Sequence, residues 1–158
     1  MCDLSAGLGG VSGWTCSSGV PTAGSVCSGS TSNWVGVTCD SSSNVIAITK
    51  SSSSLSGTLS SSIGQLTSLT YVDLSYNSIV GSIPTAIGLM KGLMILFMRN
   101  NKLIGPIPSA IGSLVSMQYM EFNNNKLTGA IPTTIGSLAS VEYISFTSNS
   151  LSGSIPAA

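Results

Sequence analysis

The sequence predicts an α/β solenoid, a stack of short coils that share one hydrophobic core and are closed at the N-terminal end by a disulfide-stapled cap. Two observations support this fold class. From Ser42 onward the sequence matches itself when it is shifted by 24 residues, and all four cysteines fall within the first 39 of 158 residues. A fixed period in this range is the signature of proteins built from stacked structural repeats.

The N-terminal segment 1–41 is predicted to be the cap. It contains Cys2, Cys16, Cys27 and Cys39, and the chain has no histidine. An even count at these spacings fits two disulfides better than a zinc site. Three pairings are possible, and we favour Cys27 with Cys39 and Cys2 with Cys16, because local loops close at the least entropic cost. Disulfides in turn predict an oxidising, extracellular compartment.

Residues 42–158 are predicted to form leucine-rich coils with the bounds 42–65, 66–89, 90–113, 114–137 and 138–158. Each full coil offers about seven inward apolar side chains worth roughly 2 kcal/mol apiece, against an ordering cost of at least about 1 kcal/mol for each of its residues. One coil therefore cannot fold alone. Stacked coils share their core and become stable together.

Each coil is expected to contain one short strand. Alternation over residues 71–75 places Val72 and Leu74 inside and the other three residues outside, which is the pattern of a half-buried strand. These strands should align as a parallel sheet. Gly81 permits a turn with positive φ, and the Ile–Pro that follows fixes an extended segment. Thr85 to Leu89 should then form a short helical turn on the opposite side.

An asparagine recurs after each predicted strand. A buried amide must satisfy its donors and its acceptor, and in a stack it can do so against the backbone of its own coil and of the next coil. The members of this structural column are Asn77, Asn101, Asn125 and Asn149.

The segment Leu66 to Pro84, LTSLTYVDLSYNSIVGSIP, resembles the plant-type leucine-rich repeat, and the next three copies do too. Upstream, Trp34 to Asp40 is similar to the end of that family's N-terminal cap, in which a cysteine before the tryptophan bridges to one after it. Trp14 would be the cap's other buried aromatic. The resemblance implies a right-handed superhelix with a parallel sheet on its concave side, as in receptor-like kinase ectodomains and polygalacturonase-inhibitor-like proteins.

Several function classes are disfavoured by composition. Without histidine, no Ser-His-Asp or Cys-His catalytic site and no histidine-ligated metal site can form. Five Lys plus Arg against five Asp plus Glu leave no basic surface for nucleic acid. The longest apolar run, Leu93 to Met98, is far shorter than the roughly 20 residues of a membrane span. We expect no enzyme activity, no cofactor and no membrane insertion by this segment.

The outward strand positions form the candidate ligand-binding surface, which the family resemblance places on the concave face. Aromatic side chains on a rigid sheet are typical anchors for a protein, peptide or glycan partner. Equally, neighbouring aromatic and aliphatic side chains can simply pack across strands. The candidate residues are Tyr71, Asp73, Ile95, Phe97, Arg99, Tyr119, Glu121, Asn123 and Tyr143.

Two functions fit these features. The first is an extracellular recognition module, secreted or part of a cell-surface protein, that binds its ligand through the concave face. The alternative is an extracellular structural protein whose copies stack end to end into a filament. Low net charge and the lack of a closing repeat after Ile155 motivate the alternative.

Overall fold

Each coil of the chain follows the same path around a shared core. The computed structural model describes residues 16–17, 20–21, 26–28, 30–32 and 34–156. From Val45 onward, a coil runs through a short strand, a tight turn, a second short strand and a 3₁₀ helix. Equivalent residues such as Leu69, Leu93 and Met117 are completely buried. The solenoid predicted from the sequence period is confirmed.

The first strand of each coil belongs to a six-stranded sheet, which we call the concave sheet. In spatial order, its strands are Val37–Cys39, Val45–Thr49, Tyr71–Asp73, Ile95–Phe97, Tyr119–Glu121 and Tyr143–Ser145. The first pair is antiparallel and all later pairs are parallel, with residues 24 positions apart lying opposite each other. This register places equivalent side chains in straight rows across the sheet.

The second strand of each coil belongs to another parallel sheet, the lateral sheet, which the sequence analysis does not predict. Its strands are Ser56–Thr58, Ser78–Gly81, Lys102–Pro106, Lys126–Ala130 and Ser150–Ser152. They pair residues 22 positions apart, as Ile104 does with Lys126. Because a strand rises about 3.3 Å per residue, equivalent residues of neighbouring coils are displaced by roughly 7 Å along this sheet. On the concave sheet, by contrast, equivalent residues of neighbouring coils lie directly opposite each other. Because the two sheets differ in this displacement, successive coils are rotated relative to each other.

The convex side is built from short 3₁₀ helices. Their bounds are Ser61–Gln65, Thr85–Leu89, Ser109–Ser113 and Thr133–Ser137, which confirms the predicted helical turn. A glycine in each helix allows the next coil to come close: a Cβ added to Gly88 would lie 2.5 Å from the carbonyl oxygen of Ala110. Within the part of the chain that the structure describes, no helix is long and apolar enough to cross a bilayer.

The N-terminal cap covers the first end of the core. A disulfide joins Cys27 to Cys39, as the sequence predicts, with 5.8 Å between the Cα atoms. Trp34 is buried in the same hydrophobic cluster. The cap also contains two antiparallel strand pairs, formed by Cys16–Ser17 with Val20–Pro21 and by Cys27–Ser28 with Thr31–Ser32. Cys2 and Trp14 lie outside the described residues, so the Cys2–Cys16 pairing and the burial of Trp14 stay predictions.

The asparagine of each coil joins that coil to the preceding one. The Asn101 amide nitrogen donates to the Met98 oxygen in its own coil at 3.1 Å and to the Leu74 oxygen in the preceding coil at 2.9 Å. Its side-chain oxygen accepts from the Ile79 N–H at 3.0 Å. Equivalent bonds are made by Asn77, Asn125 and Asn149. The second partner is thus in the preceding coil, and the expectation that it is in the next coil is wrong.

Candidate functional site

The candidate binding surface is the outward side of the concave sheet. Strand alternation buries Val72 and Leu74 and turns Tyr71 and Asp73 outward. The first outward row contains Tyr71, Ile95, Tyr119 and Tyr143, the second Asp73, Phe97, Glu121 and Ser145, and the third Ser75, Arg99, Asn123 and Thr147. Most of these side chains are half-buried and Tyr143 is 50% exposed, whereas Ser75 and Ser145 are buried.

One residue of the third row departs from the prediction. Ser75 is expected outside, but it is 0% exposed, and its hydroxyl has no hydrogen-bond partner among the described residues. The strand ends at Asp73, and the Asp73 carboxylate accepts from the Ser75 N–H at 2.9 Å. The equivalent residues Arg99 and Asn123 are half-buried, so the complete burial at this position is specific to the second coil.

Tyr71, Asp73 and Phe97 meet at the second and third coils. The Tyr71 and Phe97 rings are in edge-to-face contact, with centroids 6.2 Å apart and an interplanar angle of 79°. Asp73 lies directly opposite Phe97 in the sheet register. Burial raises the pKa of Tyr71, and the negative charge of Asp73 raises it further, while the charge of Arg99 opposes this shift. The rings and the carboxylate therefore form one connected cluster.

Arg99 is fixed on the same surface by three neighbours. It forms an ion pair with Glu121, and its guanidinium carbon lies 5.6 Å from the Phe97 ring centroid and 5.4 Å from that of Tyr76. Burial lowers the pKa of Arg99, but the hydrogen bond and the charge of Glu121 outweigh burial, so the pKa is raised. Its Nε is buried without a partner among the described residues. The guanidinium is thus held in one orientation.

Tyr76 is a surface residue that the sequence analysis misses. It has a φ of 55°, and its repeat equivalents Ser52, Asn100, Asn124 and Ser148 share this left-handed conformation. Asparagine tolerates the conformation, whereas a bulky residue there is a clear outlier. Tyr76 is nevertheless 51% exposed and covers Arg99. The sequence feature that could have identified it is that Tyr76 is the one aromatic residue at a repeat position otherwise held by serine and asparagine.

The fourth and fifth coils carry a second cluster. The Tyr119 hydroxyl donates a hydrogen bond to Glu142, and this bond raises the pKa of Tyr119. Tyr119 lies between Ile95 and Tyr143 in the first row. Glu142, just ahead of the strand, is a second residue that the sequence analysis misses. The signal for it was weak, because equivalent positions hold Thr70, Met94 and Gln118.

The outward surface of the concave sheet combines aromatic rings with charged side chains. The structure brings Tyr71, Asp73, Phe97, Arg99 and Glu121 together, and Asn123 follows two residues after Glu121 on the same coil. Among the described residues, no three His, Cys, Asp or Glu side chains are grouped to hold a metal ion. Aromatic faces and fixed charges on a rigid sheet can supply apolar contact, ion pairing and hydrogen bonds to a partner.

Comparisons with known proteins identify the repeat. The Leucine Rich Repeat family matches residues 68–90, 92–114 and 116–138. No curated protein sequence matches significantly.

Solved structures extend the match beyond the three repeats that the family matches. A chain of the BIR3–SERK2 complex from Arabidopsis thaliana is 31% identical, with a TM-score of 0.78, and the match covers 99% of this chain and 79% of that one. The BIR2 ectodomain from the same plant is 32% identical over 78% of this chain, with a TM-score of 0.73.

A third similar structure is the ectodomain of the Arabidopsis thaliana receptor kinase GASSHO1/SCHENGEN3, in complex with CASPARIAN STRIP INTEGRITY FACTOR 2. It is 40% identical over 78% of this chain, with a TM-score of 0.76. The matches span 15% of the GASSHO1/SCHENGEN3 ectodomain and 66% of the BIR2 ectodomain. Repeat sequence, capped solenoid and similarity agree, and the chain belongs to the plant-type leucine-rich-repeat family.

Proposed function

We propose that this chain is an extracellular recognition module that binds a peptide or protein through its concave sheet. The observation that carries the proposal is the connected cluster of Tyr71 and Phe97, on adjacent parallel strands, with Arg99, two residues after the second of these strands. Tyr and Arg are the residue types most enriched among the energetic centres of protein interfaces. Because the strands hold these side chains in place, a partner pays little to order them.

The similar structures support a peptide or protein as the ligand class. One is in complex with CASPARIAN STRIP INTEGRITY FACTOR 2, and another is the BIR3–SERK2 complex. These partners belong to those proteins, and only their chemical class is carried over to this chain. Because the similar structures are receptor ectodomains, they favour a recognition function for this chain over the filament alternative and over an enzyme activity. The Cys27–Cys39 disulfide supports an extracellular location, since disulfides persist in oxidising compartments.

A peptide selection tests this proposal. Peptides that bind the purified chain would be selected from a displayed random library and remeasured against variants. We expect Phe97→Ala and Tyr119→Ala each to weaken binding by about 10-fold or more, the range of interface anchors. Leu89→Ala is the control, because Leu89 is 58% exposed on the convex side. Equal affinities for the concave variants and the wild type would remove the concave sheet from consideration.

A glycan array serves as the second arm of the same experiment. Glycans that bind and then lose affinity in Tyr119→Ala would replace a peptide by a carbohydrate as the ligand class.

A further inference from the structure

Charge is distributed unevenly over a chain whose formal net charge is zero. Asp73 and Glu121 lie on the concave sheet, and Glu142 lies beside it. The exposed lysines are elsewhere, since Lys102 and Lys126 begin lateral strands and Lys91 follows a convex helix. Lys50 is 7% exposed. Arg99, which is half-buried, is therefore the cation that faces these carboxylates within the described part of the chain.

Arg99 forms its ion pair with Glu121 and not with Asp73, although the charge of Asp73 also acts on it at longer range. The rings of Phe97 and Tyr76 lie over its guanidinium. Asp73 makes no ion pair with any described residue. One Asp73 oxygen accepts the Ser75 N–H, and lone pairs remain for a partner. The concave sheet therefore keeps a surplus of negative charge at Asp73.

Asp73 is flanked by aromatic rings that can receive a cation. Phe97 lies opposite it in the register, and Tyr71 precedes it by two residues on the same strand and the same face. The chain itself shows that these rings accept positive charge, because its own guanidinium lies 5.6 Å from the Phe97 centroid. A carboxylate beside aromatic faces is the arrangement that binds ammonium and guanidinium groups.

We infer that the concave sheet selects a basic peptide segment, whose Lys or Arg side chain pairs with Asp73 and lies against Tyr71 and Phe97. This inference rests on the proposed function and narrows it to a charge class. Arg99 also restricts where a basic group of the ligand can bind. Because Glu121 is already paired with Arg99, a ligand cation placed beside Glu121 would be repelled by the guanidinium. An acidic peptide would meet unpaired Asp73 and be rejected by like charge.

The test uses binders selected from a displayed random peptide library. We expect Lys and Arg to be enriched in the binders relative to the unselected library. A synthetic binder and its Lys→Gln form would then be measured against the wild type, Asp73→Asn and Asp40→Asn. Asp40→Asn removes the same charge from the turn between the first two strands, outside the outward rows, and so controls for long-range electrostatics.

The expected pattern is a coupling between the peptide cation and Asp73. The Lys→Gln peptide should bind the wild type and Asp40→Asn about 10-fold more weakly than the Lys peptide, and Asp73→Asn should reduce that difference to about 2-fold. Binders without basic enrichment that still lose affinity in Phe97→Ala would overturn this inference and leave the proposed function standing. An undiminished Lys preference in Asp73→Asn would also overturn it. A chain that selects no peptide would contradict both.

Discussion

The guanidinium of Arg99 lies beneath the ring of Tyr76, with 5.4 Å between the guanidinium carbon and the ring centroid, and the tyrosine holds this position with a φ of 55°. A left-handed backbone costs a residue with a Cβ about 1–2 kcal/mol. A cation–π contact at an exposed site returns about 0.5–1 kcal/mol. Tyr76 is thus placed where its backbone is strained and its ring fixes the orientation of the charge on the concave sheet.

Substitutions at Tyr76 should separate these two effects. Tyr76→Asn relieves the strain, since asparagine tolerates this conformation, and removes the ring. Tyr76→Ala removes the ring and keeps most of the strain. We therefore expect Tyr76→Asn to be more stable than Tyr76→Ala by about 1 kcal/mol in urea unfolding. Equal stabilities of the two variants would mean that the left-handed backbone is not strained at this position.

The asparagine column should be essential to stability. Asn101→Ala leaves the Ile79 N–H without its side-chain acceptor and removes one of the two amide donors to the Leu74 carbonyl, which keeps its bond from Asn77. A buried group left unsatisfied costs about 1–3 kcal/mol, and we expect a loss in this range in the free energy of unfolding. Asn123→Ala, on the outward face, is the control and should change stability by less than about 0.5 kcal/mol. Similar losses for both variants would contradict this role of the column.

Two glycines allow a matched test of how tightly neighbouring coils pack. A Cβ at Gly88 would meet the Ala110 carbonyl oxygen at 2.5 Å, whereas at Gly92 the nearest atom lies 3.9 Å away. We expect Gly88→Ala to destabilise the chain by about 1–3 kcal/mol, the range of overpacked cores. Gly92→Ala should stay within about 0.5 kcal/mol of the wild type. Thermal unfolding of the two variants checks this prediction. If Gly88→Ala were as stable as Gly92→Ala or more stable, the convex helices would be able to move apart.

The turn at Asp40 should make the free energy of unfolding depend on pH. The hydrogen bond from the Asn44 side chain, followed by those from the Asn44 and Ser42 N–H groups, lowers the pKa of Asp40 and outweighs the opposing effect of burial. A lowered pKa contributes stability above the unfolded value of about 3.9, and that contribution is lost as the pH falls through the folded value. Asp40→Asn should therefore be less stable than the wild type at about pH 7.

The difference between Asp40→Asn and the wild type should begin to shrink as the pH falls below the unfolded value of about 3.9, and it should be lost once the pH is below the lowered pKa of the folded carboxyl. Urea midpoints of both proteins at about pH 7 and about pH 2.5 measure this. A constant difference between them would show that the ionised form of Asp40 does not stabilise the turn.

Much of the architecture follows from the repeat, because a period of one coil fixes which residues share a row. This is why Tyr71, Ile95 and Tyr119 could be placed side by side before any coordinates. The lateral sheet could not be foreseen, since segments such as Ser78–Gly81 have little apolar pattern and pair only because the coils stack. The contact of Tyr76 with Arg99 depends on a backbone angle that no hydrophobic pattern encodes.

The hydrogen bonds of each asparagine to the preceding coil make the two ends of the solenoid different. A backbone N–H in one coil is paired by the asparagine of the coil that follows, as the Ile79 N–H is by Asn101. Removing residues 90–113 as a unit would bring Asn125 to the place of Asn101, with the same atoms to bind. Removing half that length would leave the turn around Ile79 incomplete. Whole coils are therefore the units in which such a chain can be lengthened or shortened.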